Sequence, residues 1–200
     1  MQGKDGAVGE IVLIGDSIRM GYQEVVRREL GAKAEVWAPA ENGGNSRNVL
    51  AHLEEWVISR RPEVVHLNCG LHDVWRASPA EEPAVPLDEY RANLTEIFHR
   101  IMDGTAAVLT WAATTPVNER SHRERKGFDR LEADLLAYNR AAAEIAGGLG
   151  VGINDLYAAV VRAGPDSLLS DDGVHFAQAG YELLGKAVAE FIRPSLKELG

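Results

Sequence analysis

Cys69 is the only cysteine in a chain of 200 residues, so no internal disulfide can form, which fits a reducing compartment. Basic residues are also in short supply. The 21 Lys and Arg stand against 30 Asp and Glu, leaving a formal net charge of -9. That balance disfavours nucleic acid as a partner, because phosphate backbones are gripped by clustered Lys and Arg. No apolar run is long enough to span a bilayer, so no membrane partner is expected. Met1-Gln2-Gly3-Lys4-Asp5-Gly6 lacks the apolar core of a leader, and the expected setting is cytoplasmic; export followed by trimming would leave the same chain. No internal repeat and no linker interrupts the sequence. With 46% hydrophobic residues it can bury a sizeable core, and residues 1–200 are expected to form one domain.

What the chain does have is alternation. Ile11–Ile14, Ala34–Ala38, Val64–Leu67, Ala106–Trp111 and Val151–Ile153 are short apolar runs of the kind that form buried strands. Between them apolar residues recur three and four apart. Val49, Leu50, Leu53, Trp56 and Val57 make one helical face, Tyr90, Leu94, Ile97, Phe98 and Ile101 a second, and Leu131, Leu135, Tyr138, Ala142 and Ile145 a third. A last helix is expected from Gln178 to Ile192, stopping before Pro194. Strands alternating with helices imply a parallel sheet covered on both faces, with ligands at the carboxyl ends of its strands. Two stretches break the rhythm, the proline-rich Ser78–Pro86 and the highly charged Val117–Arg130. Both follow strand ends and read either as solvated connectors or as borders of a site. The charged one is expected to shape access without doing chemistry, its basic excess acting on anionic substrates through Arg123, Arg125 and Lys126.

Ser17 follows Gly15-Asp16 where the first strand hands over to a helix expected over Met20–Leu30. A serine hydroxyl is a weak nucleophile until a base takes its proton, and the base needs a carboxylate to hold its tautomer. Asp172 and His175 could supply both groups. Read alone, however, Ser17 could equally cap the helix, and Asp171-Asp172 could be a charged turn with His175 opening the last helix. Polar residues also crowd the end of the third strand, in Asn68-Cys69-Gly70-Leu71-His72-Asp73. Either Asn68 or His72 could donate to a developing oxyanion there, or His72 could be structural. A metal cluster of His66, His72 and Asp73 is not expected, since His66 lies within the strand and no convincing ligand set completes it. After the second strand, Gly43-Gly44 permits either an ordinary turn or a loop whose amide faces an anion.

Taken in order, these segments resemble the SGNH hydrolases of the GDSL esterase and lipase superfamily. The matching blocks are Gly15-Asp16-Ser17, Gly43 (or Gly44), Gly70-Leu71-His72-Asp73 and Asp172-Gly173-Val174-His175. Arg61-Pro62-Glu63-Val64-Val65, Tyr138-Asn139 and Asp155 agree more weakly, and the likeness runs from about Ile11 to Ile192. It implies a flavodoxin-like α/β/α sandwich with a five-stranded parallel sheet in the order 2-1-3-4-5. It implies a catalytic triad of Ser17 as nucleophile, His175 as base and acid, and Asp172 as orienter. The oxyanion hole would comprise the amides of Ser17 and Gly43, Gly43 being preferred to its neighbour, and the side chain of His72. The family carries asparagine at the place of His72. An amide is a permanent donor, whereas a neutral imidazole donates from one nitrogen only. The implied activity is hydrolysis of carboxylic esters, with small acyl groups such as acetyl on a sugar or polyol preferred, and with no metal or organic cofactor. An O-acyltransferase using the same triad, or a non-catalytic carbohydrate-binding relative, stays open.

Overall fold

The computed structural model describes residues 9–79 and 81–197. The segment Met1–Gly6 and Ala80 of the proline-rich stretch lie outside the described residues. Five strands form one parallel sheet in the order β2-β1-β3-β4-β5, as the resemblance implied. They are β1 Gly9–Ile14, β2 Ala34–Trp37, β3 Val64–Leu67, β4 Val108–Ala112 and β5 Gly152–Asn154. The helices are α1 Ser17–Leu30, α2 Ser46–Trp56, α3 Leu87–Gly104, α4 Glu119–Lys126, α5 Glu132–Gly148, α6 Leu156–Ala163 and α7 Gln178–Lys197.

The pleat divides the core. Successive side chains of a strand point to opposite faces. Val12 and Ile14 of β1, with Val65 and Leu67 of β3, therefore face α2, α3 and α5, where Trp56, Tyr90, Phe98 and Tyr138 are buried. Ile11 and Leu13 face the other way, onto Tyr22 and Val26 of α1, Val160 of α6 and Leu184, Val188 and Ile192 of α7. Both faces of β1 and β3 are thus buried, which is why these strands read as apolar runs, broken in β3 only by the buried His66. Helices α1 and α7 cross closely through glycine. A Cβ on Gly185 would lie 2.4 Å from the Val25 Cβ, and one on Gly21 would lie 2.0 Å from the Tyr181 ring.

Three expectations need correction. First, α1 begins at Ser17 and not Met20, because Asp16 caps it: the Ile18 N–H donates to Asp16 Oδ1 at 2.9 Å. Second, the charged stretch contains α4. That helix has no apolar stripe, and His122 is its one buried residue. Its ends are set by Asn118, whose side chain accepts from the Ser121 N–H, and by Gly127 in the left-handed region at φ 71°. Third, α7 passes through Pro194. A proline removes the N–H that would bond the carbonyl of Glu190. Both residues face solvent, so water can take that carbonyl, while Ile192 is fully buried and Arg193 donates to the Glu29 carbonyl at 3.1 Å.

Candidate active site

The register that pairs Ile14 with Leu67 brings the carboxyl ends of β1 and β3 side by side. The strand order reverses here, and such a crevice is where open α/β sheets bind ligands. Ser17 leaves β1 as the first residue of α1, half-buried, with its N–H in the first helical turn where no intrahelical acceptor exists. The loop before α7 carries the histidine. His175 Nε2 lies 2.9 Å from Ser17 Oγ, and His175 Nδ1 lies 2.6 Å from Asp172 Oδ2. The other carboxylate oxygen, Asp172 Oδ1, accepts from the Val174 and His175 amides at 3.0 and 2.9 Å and from the Ser170 hydroxyl at 3.0 Å. Partial burial works against ionisation of Asp172, but His175, the two amides and Ser170 outweigh it and hold the carboxyl well below the usual range. A carboxylate so held keeps the proton on His175 Nδ1 and leaves Nε2 to accept from the serine.

A cleft of about 300 Å³ opens over this line of bonds, with Ser17, Asn42, His72 and His175 among its walls. Burial chiefly, with Arg130 and His175 nearby adding to it, lowers the pKa of His72 against the opposing pull of Asp16. His72 is therefore a neutral imidazole that can donate from one nitrogen. Asn68, the other candidate at this strand end, faces elsewhere. Its Nδ2 donates to the Ala112 carbonyl at 2.7 Å and to Thr114 Oγ1 at 3.1 Å, tying the ends of β3 and β4 together. The glycine turn is also committed. The Gly43 N–H donates to the Gly15 carbonyl at 3.0 Å, and a Cβ at that position would stand 2.7 Å from the same oxygen. The neighbouring Gly44 N–H donates to Asn42 Oδ1 at 2.8 Å, and Gly44 adopts φ 63°. Asp73, buried behind the site, accepts the Ser46 N–H on both oxygens at 2.9 and 3.1 Å, fixing the start of α2. Burial pushes its carboxyl up to about 7 despite those bonds from Ser46. His66 stays inside the sheet with Asn154 Nδ2 at 3.2 Å. Among the described residues no three His, Cys, Asp or Glu side chains converge on a point that could hold a metal ion.

The GDSL-like lipase/acylhydrolase family matches residues 13–183. The chain belongs to this family. Like other members it is a carboxylic ester hydrolase, and the matched span takes in every block quoted above. An acetylxylan esterase from Geobacillus stearothermophilus is 28% identical over 174 residues, covering 84% of this chain and 75% of that protein. Among solved structures, a lipase/acylhydrolase from Enterococcus faecalis superposes with a TM-score of 0.78 at 26% identity, covering 93% of this chain and 96% of that one. A solved acetylxylan esterase from Geobacillus stearothermophilus gives 0.74 at 24% identity, with 96% of each chain covered, and shares the fold.

The charged stretch supplies residues that sequence reasoning did not single out. Arg130 is buried, and its Nε donates to the Leu71 carbonyl at 2.6 Å. Its Nη1 lies 3.0 Å from His122 Nε2. A guanidinium only donates, so His122 Nε2 accepts, the ring proton sits on Nδ1, and Nδ1–H donates to the Asp172 carbonyl oxygen at 3.2 Å. Burial, and then Arg130, lower the pKa of His122 and keep it neutral. One chain of bonds thus runs from the loop bearing His72, through Arg130 and His122, to the loop bearing Asp172. Lys126 approaches Asp172 Oδ2 at 3.4 Å. By contrast, Arg123 is taken by Asp129 at 2.6 Å and Arg125 by Asp171 at 3.6 Å, both away from the cleft lining. Their position after β4, on the edge of the sheet where ligands bind, was the available signal. The tertiary pairing of His122 with Arg130 left no local pattern.

Proposed function

We propose that the protein hydrolyses short-chain carboxylic esters through an acyl-serine intermediate on Ser17. His175 takes the Ser17 proton as the hydroxyl attacks the ester carbonyl and returns it to the departing alkoxide. Asp172 holds the imidazole in the required tautomer and stabilises it once charged. A water, activated by His175 in turn, releases the acid. The observation that carries this reading is the unbroken line Ser17 Oγ–His175 Nε2 and His175 Nδ1–Asp172 Oδ2, at 2.9 and 2.6 Å, at the foot of an open cleft.

For the oxyanion, the Ser17 N–H and the neutral ring of His72 are the proposed donors, joined by a glycine amide after β2. The Gly43 amide is engaged by a main-chain carbonyl, so Gly44 is the better candidate. Its present acceptor, Asn42 Oδ1, is a side chain in the cleft wall that can turn aside for substrate. The cleft size favours small acyl groups, and the related acetylxylan esterase supports acetyl on a sugar or polyol. The test is Ser17→Ala on a series of 4-nitrophenyl esters from acetate to octanoate. Wild type should favour the shortest members. The variant should lose several orders of magnitude, keeping roughly the 10³–10⁴-fold advantage over water that binding and oxyanion donors provide. A folded Ser17→Ala protein with near-wild-type turnover would refute the reading.

A further inference from the structure

Arg130 is 7% exposed, yet among the described residues no carboxylate forms an ion pair with it. Its two bonds to protein leave Nη2 without an acceptor among the described residues, and the side chain lines the cleft beside Ser17 and His175. The cation also rests 5.1 Å from the Phe128 ring. Buried charges are normally paired, because leaving water costs them their hydration. The carboxylates that act on Arg130, Asp16 and Asp172, are not among the residues that line the cleft. Lys126, the second fixed cation of the lining, is held only by a 3.4 Å contact to an oxygen of Asp172 that His175 already occupies at 2.6 Å. In a chain of net charge -9, the cleft lining thus contains two fixed cations and no carboxylate.

We propose that the cleft takes an ester that carries its own negative charge, a carboxylate close to the reacting acyl group, with Arg130 and Lys126 holding the anion. The proposal rests on the esterase reading and adds the substrate class. Arg130 presents its Nη2 from a guanidinium held in place by its other two nitrogens, Lys126 a mobile point charge at the mouth. Rim cations such as Arg123 and Arg125 have partners and play no part.

The test compares two acetyl esters of similar shape, 4-acetoxybenzoate and its neutral twin 4-acetoxybenzamide. The wild-type ratio of kcat/KM, benzoate over benzamide, should exceed that of Arg130→Met about ten- to a hundredfold, the scale of a hydrogen bond to a charged group. It should exceed that of Lys126→Gln by about threefold, the scale of an exposed ion pair. Added salt should raise the wild-type KM for the benzoate and leave the benzamide unchanged. Binding is read separately, by calorimetry on the Ser17→Ala protein with 4-hydroxybenzoate and 4-hydroxybenzamide. Tighter benzoate binding that weakens in Ser17→Ala/Lys126→Gln supports the anion site even if neither twin is hydrolysed, an outcome that would sink the short-chain acetyl ester reading alone. Hydrolysis of both twins with equal binding and no charge preference overturns the anion site and leaves the esterase reading standing. An equal loss on both twins in Arg130→Met, with the ratio kept there and in Lys126→Gln, would also overturn it. Arg130→Met alone is not decisive if it fails to fold; the Lys126→Gln ratio and the salt dependence then settle the matter.

Discussion

Ser17 and His72 stand at the ends of neighbouring central strands, whereas His122, Lys126 and Arg130 come from a polar helix and the turn after it. The strand side takes its geometry from the main chain: β1 and β3 are locked in register and buried on both faces, and Asp16 caps the helix that Ser17 begins. The α4 side is held by side chains, the bonds Leu71–Arg130–His122–Asp172. A substitution on the first side should remove one function and leave its neighbours in place. A substitution on the second should shift several groups by a little. No helix among the described residues is long and apolar enough to cross a membrane.

The largest effect should come from Asp172, where both sides meet. Asp172→Asn preserves shape but offers His175 the wrong partner, and kcat should fall by about 10³–10⁴ with little change in melting temperature. Loss of less than tenfold would detach Asp172 from the reaction. On the strand side, His72→Ala should lower kcat by about 10²–10³ with KM nearly unchanged, the usual cost of one oxyanion donor. His72→Asn should recover much of it, since an amide restores a donor. Full activity in His72→Ala would make the imidazole structural.

Asp73 tests the same side through stability. Its folded carboxyl titrates near 7, above the ordinary carboxylate range, so the folded state holds a proton that the unfolded chain releases near pH 4. That contribution is complete below about pH 4 and is lost as pH rises through 7, at most roughly 4 kcal/mol over the window. Asp73→Asn does not titrate. Urea unfolding at pH 4, 5.5 and 7.5 should therefore show the variant gaining on wild type as pH rises, and a constant difference would contradict the assignment. The smallest effect belongs to the side-chain strap. His122→Leu keeps bulk but drops both bonds, and kcat should fall by about tenfold, within the 10²-fold that a displaced group can cost. Amide exchange around Asp172–Val174 should quicken in the same variant. Unchanged exchange and rate would mean that α4 merely lies against the site.

The same contrast explains how much of the fold and the site is legible in the amino-acid sequence. Strand positions, the helical faces and the closeness of Asp172 to His175 are visible because each rests on short-range pattern: apolar runs, three-and-four spacing, a carboxylate within one turn of an imidazole. The strand order comes only with the family resemblance. Helix α4 was invisible because it lacks an apolar stripe and is defined by Asn118 and Gly127 at its ends. The roles of Arg130 and His122 leave no local signal because their partners, Leu71 and Asp172, lie far away in sequence. The glycine turn shows the limit of counting. Neither the number of residues nor the pair Gly43-Gly44 tells that the Gly43 amide donates to the main-chain carbonyl of Gly15 and the Gly44 amide to the side chain of Asn42. The local pattern at Pro194 argues for a stop, yet the helix runs on because the carbonyl that the proline leaves unbonded, that of Glu190, faces solvent.

The central claim, that Ser17 attacks and His175 activates it, is tested most directly by covalent trapping. An aryl alkylphosphonate ester should label wild type once per chain, with peptide mass spectrometry placing the adduct on Ser17. Labelling should vanish in Ser17→Ala and slow by orders of magnitude in His175→Ala. An adduct on another residue, with ester turnover persisting in the folded Ser17→Ala protein, would contradict the account.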